Sequence, residues 1–216
     1  MHRSRMSNRQ RLLFNTDLNN NYYCINLNEI NTFSNKDLFY KIFERNSKVI
    51  LDIGFGNGDQ LLQLAQHLPD YDFIGIEIYK KGIATLIDKI QTLQLPNIKI
   101  IYNEAFSAIE NFFYDRSLFK VQIFFPDPWP KTKHHKRRLI NHDFINLIKN
   151  KLIINGILHI ATDSDDYAQQ ILKIITSFKE FYWLKDHYLE RPMTKFEKIG
   201  RSLGNTIWDL VFVLKS

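Results

Sequence analysis

Cysteine is scarce in this chain, and its scarcity excludes two ways of stabilising or equipping a protein. Cys24 is the only cysteine among 216 residues. A single thiol can form neither an internal disulfide nor a cysteine-rich zinc site. We therefore expect a protein that folds around its own hydrophobic core in a reducing compartment, and this favours a cytoplasmic location.

Long apolar runs and the apolar core of a secretion signal are also lacking. No stretch of about 18 consecutive apolar residues occurs, so the sequence predicts no membrane-spanning helix. The N-terminal stretch MHRSRMSNRQR is rich in arginine and has no acidic residue. Three interpretations stay open for it: an arm that contacts RNA, a solvated tail, or a short targeting peptide.

Positive charge is present in excess. The chain has 29 Lys and Arg against 23 Asp and Glu, for a net charge of +6. Such an excess favours a polyanionic partner, most simply nucleic acid, although many basic proteins have none. With 44% hydrophobic residues, this length predicts one domain at 47–216 with a substantial core, preceded by a basic arm and lead-in segment at 1–46.

Apolar patterning alternates between strand and helix along most of the chain. Apolar runs predict strands at 48–53, 73–78, 98–102, 121–125, 156–161, 181–184 and 206–214. Helical spacing predicts helices at 59–68, 80–93, 105–113 and 139–152, and one that Asp163 caps and that ends near Phe178. This alternation predicts an α/β fold, a mostly parallel sheet with helices on both faces. Ligands of such sheets bind beyond the carboxyl ends of the strands.

A glycine-rich turn follows the first predicted strand. The stretch DIGFGNG begins at Asp52 and has glycines at 54, 56 and 58. It is not a dinucleotide motif, because residue 59 is Asp59, and it lacks the Gly-Lys pair of a phosphate loop. Acidic-x-Gly-x-Gly-x-Gly resembles the first motif of class I S-adenosylmethionine-dependent methyltransferases.

Acidic residues also end the second and third predicted strands. Glu77 lies 77 − 54 = 23 residues after Gly54, where a carboxylate can accept hydrogen bonds from both ribose hydroxyls of an adenosine ligand. Glu104 follows Asn103 after the third strand, a natural place to meet the adenine. Each residue alone has an ordinary interpretation as a solvated side chain. Their repetition after successive strands favours an adenosine site.

The fourth predicted strand leads into the sequence PDPW. Asp127 lies between two prolines, which restrict its backbone and hold its carboxylate rigidly. If the methyl acceptor is a neutral ring nitrogen, such as N7 of guanine, it has no proton to lose, so a general base is not strictly required. Asp127 would instead accept hydrogen bonds from the base and stabilise the positive charge that develops on it. Trp129 is either a stacking platform for a base or part of the core.

A strongly basic run follows directly. Residues 131–138 contain five Lys or Arg and two His. Beside a reactive carboxylate, such a run is typical of a surface that binds RNA phosphates, although charge runs are often only solvated. His134 and His135 have no convincing metal-binding partners in the sequence, and no metal is predicted.

Several of these stretches together resemble one family. LDIGFGNG, FIGIEI, FFPDPWPKTKHHKRR, ATDSDDYA, RPMTKFEKIGRSLG and WDLVF are similar to motifs of the bacterial tRNA (guanine-N7-)-methyltransferases, from Leu51 to Phe212. The resemblance implies a class I, Rossmann-like methyltransferase fold of seven strands whose last strand is antiparallel. It also implies methyl transfer from S-adenosylmethionine to N7 of a guanosine in the tRNA variable loop, usually numbered 46. The partner would be tRNA, the protein a monomer or homodimer with no obligate partner subunit, and no membrane would be involved.

The resemblance also implies site residues by motif position. Cofactor-binding residues would be Asp52, Gly54, Glu77, Glu104 and Asp127, and Asp127 would be the catalytic residue. Substrate-binding residues would be Lys131, Asp163, Thr194, Lys195, Phe196 and Glu197. RNA-binding residues would be Lys133, His134, His135, Lys136, Arg137 and Arg138.

Two departures from the family pattern and two alternatives remain. The family usually has Glu where this chain has Asp52, and Asp where it has Glu104; each exchange keeps the carboxylate but changes its reach by one methylene. PDPW also faintly resembles the motif of methyltransferases that act on an exocyclic amine of a base. A catalytically inactive RNA-binding module on the same scaffold is the other alternative.

Overall fold

A computed structural model of the chain describes residues 5–20, 22–25, 37–185, 189 and 191–216. Its strands are β1 (Lys48–Ile53), β2 (Tyr71–Glu77), β3 (Ile98–Tyr102), β4 (Leu118–Phe124), β5 (Leu152–Thr162), β6 (Phe181–Trp183) and β7 (Trp208–Leu214). Its α-helices are α1 (Asn8–Asn20), α2 (Leu38–Phe43), α3 (Asp59–His67), α4 (Lys80–Leu93), α5 (Ala105–Phe112), α6 (His142–Lys151), α7 (Asp165–Ile175) and α8 (Lys195–Ser202). A 3₁₀ helix spans Thr132–Arg137.

The seven strands belong to one sheet in the order β3-β2-β1-β4-β5-β7-β6. Strands β1, β2 and β3 pair in parallel, as do β4 and β5. Strand β7 is antiparallel to both of its neighbours, β5 and β6. This mostly parallel sheet with an antiparallel last strand confirms the predicted α/β class I methyltransferase fold.

The chain divides into two compact units, and the first spans Met1–Phe112. Its strands β1 and β2 are apolar and buried along nearly their whole length, as expected for parallel strands covered on both faces. Fully buried Leu51, Phe73 and Ile74 form part of the core, together with Leu86 and Ile90 of α4. The carboxyl ends of three parallel strands are thereby fixed at one edge of this unit.

Helix α1 is part of the first unit. Phe14 is buried and meets the ring of Tyr102 edge-on, with 5.3 Å between the ring centroids. Gln10 Nε2 donates to Thr85 Oγ1 of α4 at 3.2 Å, and Arg9 forms an exposed ion pair with Asp88. Residues 8–20 therefore form an attached helix. The division of the chain at residue 46 into an arm and a domain stays a prediction, and residues 26–36 lie outside the described residues.

The second unit spans Phe113–Ser216 and contains β4, β5, β7 and β6. Phe124 pairs with Ala161 across β4 and β5, and Ala161 pairs with Asp209 across β5 and β7. Phe144 of α6 and Tyr167 of α7 are fully buried. The register places the end of β4 level with the beginning of β7, so residues that follow β4 and residues near Trp208 lie at the same end of this unit.

Two sequence predictions about helices are wrong in detail. Asp163 does not cap α7, because the Oγ of Ser164 accepts the hydrogen bond from the backbone N–H of Tyr167. The helix predicted at 139–152 begins only at His142, where Asn141 caps it. The basic run just before it forms the separate 3₁₀ helix, and Arg138 has extended backbone angles.

Within the described ranges, the helices are too short or too polar for any of them to cross a membrane.

Candidate active site

The glycine turn after β1 adopts a backbone that only glycine accepts easily. Gly54, Gly56 and Gly58 have φ values of +76°, +60° and +73°, in the left-handed region where other residues are strained. A Cβ added at Gly54 or Gly56 would meet nothing within 4 Å, whereas at Gly58 it would collide with Leu86. The first two glycines therefore leave open space over the backbone, and the third allows the turn to pack on α4.

Glu77 fastens this turn from the end of β2. Its Oε2 accepts a hydrogen bond from the Gly56 N–H at 2.8 Å. Its Oε1 accepts from the N–H groups of Ile78 at 2.7 Å and Tyr79 at 2.9 Å. A carboxylate offers about four acceptor positions, so one position on Oε2 is left for a ligand. In this arrangement Glu77 can accept a hydrogen bond from one ribose hydroxyl, whereas the sequence predicted hydrogen bonds from both.

The other two acidic candidates of the first unit differ in exposure. Asp52 is 3% exposed and lies in β1 opposite Gly75 of β2. Glu104 is exposed just beyond β3, and its N–H donates to Asn103 Oδ1 at 2.7 Å. In the parallel register Glu77 pairs with Tyr102, so Glu77 and Glu104 both lie at the carboxyl edge of their strands. The open glycine turn and these carboxylates fit an adenosine-containing cofactor.

The PDPW turn of the second unit ends in Trp129 and directly follows Phe125, and both of these residues have unusual backbone angles. Phe125 has φ +54° and Trp129 has φ +43°, values that are costly for bulky side chains and concentrate at functional sites. The Phe125 N–H donates to the carbonyl of Ala161 at 2.7 Å, which anchors the turn to β5. Asp127 is exposed at the tip. The turn thus holds one accessible carboxylate on a constrained backbone.

Arg138 braces this turn from inside the protein. Its residue exposure is 3%, and its Nε donates to the carbonyl of Pro128 at 2.8 Å. Nη1 donates to Gln170 Oε1 at 2.5 Å, and Nη2 donates to Asp166 and to His135 Nε2. These bonds involve all three guanidinium nitrogens and four of the five N–H groups. Arg138, predicted to bind RNA, is therefore buried and bonded mainly to protein groups in this structure.

The ring of Tyr167 packs against the guanidinium of Arg138. The guanidinium carbon lies 4.7 Å from the centroid of the Tyr167 ring, and the backbone N–H of Ile140 donates to the Tyr167 hydroxyl at 3.1 Å. Burial raises the pKa of Tyr167 to about 12, and the negative charge of Asp127 adds to the increase. Tyr167 consequently stays neutral and supports Arg138 by packing and by a cation–π contact.

The remaining basic residues are accessible. Lys131, Lys133, Lys136 and Arg137 are exposed, and His134 and His135 are half-buried. The Arg137 guanidinium lies 5.0 Å from the Trp129 ring centroid, and the His134 ring meets Trp129 edge-on at 5.8 Å. Trp129 is itself half-buried, so it belongs to this basic surface and not to the core. Among the described residues, no cluster of three or more His, Cys, Asp or Glu is arranged to hold a metal ion.

Helix α8 brings together the predicted substrate-binding residues of the second unit. Thr194 caps it, since its Oγ1 accepts from the Glu197 N–H at 2.9 Å. Lys195 and Phe196 are exposed on the first turn. Asp163 lies against the same helix: a Cβ on Gly200 would come within 2.9 Å of Asp163 Oδ2. Asp163 and α8 are therefore in direct contact.

Glu197, predicted to bind the substrate, is buried in this structure. Its side chain is 4% exposed and is bound by Arg191 and Arg201. Sequence reasoning did not identify Arg191, or the buried pair His159 and Asp209 on β5 and β7. A signal was present, because both His159 and Asp209 are ionisable residues inside apolar strand sequences, where an unpaired charge would be costly.

Comparison with known proteins matches this chain to methyltransferases. A family model described as "Putative methyltransferase" (Methyltransf_4) matches residues 46–210. The tRNA (guanine-N(7)-)-methyltransferase of Buchnera aphidicola subsp. Acyrthosiphon pisum (strain Tuc7) is 47% identical over 183 residues, 82% of this chain and 77% of that protein. The protein of the same name from Nitrosococcus oceani is 44% identical over 173 residues, 79% of this chain and 73% of that protein.

Solved structures with this fold are more distant in sequence. The 16S rRNA methyltransferase KamB superposes with a TM-score of 0.62 at 13% identity, over 85% of this chain and 95% of that one. A 30S ribosomal A1408 methyltransferase from an uncultured bacterium superposes with a TM-score of 0.53 at 21% identity, over 85% of this chain and 95% of that one. These likenesses support the fold alone.

Proposed function

The chain belongs to the tRNA (guanine-N7-)-methyltransferase family, and from this premise we propose that it transfers a methyl group from S-adenosylmethionine to N7 of a guanosine in tRNA. The target would be the guanosine of the variable loop usually numbered 46. The observation that carries the proposal is the PDPW turn, which presents Asp127 on a constrained and braced backbone beside an exposed basic surface.

The first unit would bind the cofactor. The turn at Gly54 and Gly56 leaves its backbone open to close approach. Glu77 would accept a hydrogen bond from a ribose hydroxyl through the remaining position on Oε2 while its other positions hold the turn closed. Glu104 would accept from the adenine amino group, and Asp52 would contribute from β1. Bound S-adenosylmethionine supplies a methyl group on a positively charged sulfonium, which an uncharged ring nitrogen can attack.

Asp127 would be the catalytic residue and a further contact of the cofactor. Its carboxylate can accept hydrogen bonds from N1–H and the amino group of guanine, and this would orient N7 for an in-line attack. Methylation at N7 leaves a positive charge on the purine and releases no proton from that nitrogen. The charge of Asp127 would stabilise the purine in the transition state more than in the ground state, which is the condition for accelerating the reaction.

Arg138 would position Asp127 rather than bind RNA. Its Nε–H donates to the carbonyl of Pro128, the residue that follows Asp127.

The tRNA phosphates would contact the exposed residues Lys133, Lys136 and Arg137, with His134 and His135 beside them and Lys131 nearer the substrate. Asp163 and the first turn of α8, with Thr194, Lys195 and Phe196, would contact the target nucleoside. A cytoplasmic location and a monomer or homodimer remain predictions.

The test is identification of the methylated nucleoside. Purified protein is incubated with isotopically labelled S-adenosylmethionine and an unmodified tRNA transcript, and the product is digested and separated against standards by mass spectrometry. We expect N7-methylguanosine, and none from a transcript with adenosine in place of the target guanosine. An N2- or N6-methylated nucleoside would mean that the PDPW motif serves methylation of an exocyclic amine and not of N7. No methylation would favour the RNA-binding module.

A further inference from the structure

Arg191 lies at the centre of a buried network in the second unit that the proposed reaction does not yet use. Its side chain is 1% exposed. Nη1 donates to Glu197 Oε2 at 2.6 Å. Nε and Nη2 both bond Asp209 Oδ2, at 2.8 and 2.6 Å. One guanidinium thus bridges helix α8 and strand β7, a geometry that needs the planar fork of arginine.

The network extends on both sides of Arg191 and is balanced in charge. Asp209 accepts a hydrogen bond from His159 Nε2 of β5, and burial lowers the pKa of His159, which keeps the imidazole neutral. Glu197 Oε1 accepts from Arg201 at 2.8 Å. Burial raises the pKa of Glu197, but hydrogen bonds from Arg201 and Arg191 outweigh it and hold the carboxyl ionised. Two arginines therefore offset two carboxylates.

Arg191 also touches the strand that carries the catalytic turn. Its guanidinium carbon lies 4.9 Å from the centroid of the Phe124 ring and 5.9 Å from that of Phe125. Phe124 ends β4, and Phe125 is the residue in the left-handed conformation immediately before PDPW. The face of the guanidinium thus packs on the base of the turn while its edge holds Glu197 and Asp209. Buried pairing of this kind fixes one geometry, because a moved partner would leave a charge uncompensated.

We propose that Arg191 is a positioning residue that sets the distance between the PDPW turn and helix α8, and so holds Asp127 and Thr194 in register on the same target guanosine. This inference rests on the proposed function, because it assumes that both residues contact that nucleoside. Arg191 itself would touch neither cofactor nor RNA. Its loss would reduce the rate of methyl transfer and leave binding of both ligands intact.

The chain offers a matched control for the test. Arg201 binds the other oxygen of the same Glu197, but its side chain is 54% exposed. Its Nε and Nη2 both donate to Glu197 Oε1, so its guanidinium does not bridge α8 and β7 within the described ranges of the chain. Arg191→Lys keeps the charge and loses the two-sided fork, and Arg201→Lys makes the same chemical change outside the bridge. For each variant, kcat at saturating tRNA and S-adenosylmethionine, the two dissociation constants and Tm are measured.

We expect Arg191→Lys to lower kcat by about tenfold or more, because small misplacements of reacting groups are costly, with both dissociation constants within about twofold of wild type. Arg201→Lys should keep kcat within about twofold. Unchanged kcat in Arg191→Lys would overturn the proposal, and so would a rise in the tRNA dissociation constant in place of the loss of rate. If wild-type protein makes no N7-methylguanosine, the proposed function itself fails, and the wild-type reaction alone reveals this.

A second variant decides the matter if Arg191→Lys does not fold. Phe124→Leu removes the ring under the guanidinium and leaves the two arginines and two carboxylates of the network in place. A reduced kcat with wild-type binding of both ligands supports the positioning role. Wild-type kcat in a folded Phe124→Leu protein overturns it.

Discussion

The Nε of Arg138 donates a hydrogen bond to the carbonyl of Pro128 at 2.8 Å, and this bond ties a buried arginine to the turn that presents Asp127. The neighbouring Arg137 is exposed and lies over Trp129. Two consecutive arginines of one basic run therefore have opposite environments. One stabilises the backbone of the turn, and the other is available to a polyanion.

This contrast predicts different defects for the two arginines. Arg138→Lys should lower kcat by about tenfold to a hundredfold, because the turn loses its brace, and should lower Tm by a few degrees through a loss of about 1–3 kcal/mol. The salt dependence of tRNA binding should not change. Arg137→Lys is the control and should leave Tm and kcat near wild type. Stopped-flow or quench assays with thermal melts measure both quantities, and a reduced salt slope in Arg138→Lys would contradict the buried placement.

Asp127→Ala should abolish transfer with little effect on the fold. The side chain is exposed, so stability should change by less than about 0.5 kcal/mol. The rate should fall by at least about a hundredfold, the typical cost of removing one electrostatic stabiliser of a transition state. The rate of Asp127→Asn, which keeps one acceptor oxygen, should lie between those of wild type and Asp127→Ala. Wild-type turnover by a folded Asp127→Ala protein would refute the catalytic assignment.

The exposed cations of the 3₁₀ segment should govern tRNA affinity. Changing Lys133, Lys136 and Arg137 to Ala should weaken tRNA binding. It should reduce the slope of log affinity against log salt concentration by about 2–3, since each of the three lost phosphate contacts contributes roughly 0.7–0.9 to the slope. The control triple is Lys173→Ala, Lys179→Ala and Lys215→Ala, which removes the same charge from exposed positions. Equal slopes for the two triple variants would mean that the segment only faces solvent.

Gly54→Ala should separate cofactor binding from stability. The added Cβ would meet no protein atom within 4 Å, so the cost to folding is the left-handed backbone alone, about 1–2 kcal/mol. The methyl group would occupy the space in which we place the cofactor. Titration calorimetry should therefore show S-adenosylmethionine affinity reduced by more than about tenfold. If Gly54→Ala is less stable but binds S-adenosylmethionine normally, the cofactor does not bind against this turn.

The network around His159 predicts a pH dependence of stability. Burial lowers the pKa of His159, the charges of Lys120 and Arg191 lower it further, and Asp209 opposes them. The unfolded imidazole has its ordinary pKa of about 6.5. Below that pH the unfolded state binds a proton that the folded state does not, so the free energy of unfolding falls as pH falls through about 6.5, by up to about 1.4 kcal/mol per pH unit.

His159→Gln should remove that part of the slope between pH 7.5 and 5.5, as measured by urea unfolding. His67→Gln, at an exposed position, should keep the wild-type slope. If His159→Gln also keeps it, the imidazole is not held neutral in the folded protein.

The parts of the fold that depend on local patterning were predictable from sequence. Buried apolar runs and the glycine turn give β1 to β3 and their ligand edge, because both signals lie within a few neighbouring residues. The brace at Arg138 was not predictable. Its burial depends on Asp166 and Gln170, about thirty residues away, and the adjacent Arg137 carries the same local signal. The role of Arg191 depends likewise on strand β7.

The N-cap of α7 was assigned to the wrong residue because it too depends on tertiary contacts. Asp163 and Ser164 are both good cap residues, and sequence alone does not choose between them. In the structure Ser164 is the cap. The carboxylate of Asp163 instead lies against Gly200 of α8 and accepts a hydrogen bond from Asn205 Nδ2, just beyond that helix, at 3.2 Å. Asp163 thus makes a tertiary contact in place of the local capping bond, and only the folded structure reveals this choice.

In the proposed reaction, nitrogen N7 of one guanosine accepts the methyl group, and exchange of that single atom tests it. Two tRNAs are assembled that differ only at the target position, one with guanosine and one with 7-deazaguanosine, which replaces N7 by a carbon and keeps the exocyclic amine. With labelled S-adenosylmethionine, we predict incorporation into the guanosine tRNA and none into the 7-deazaguanosine tRNA, although both bind equally well. Equal incorporation into both tRNAs would show that an atom other than N7 accepts the methyl group.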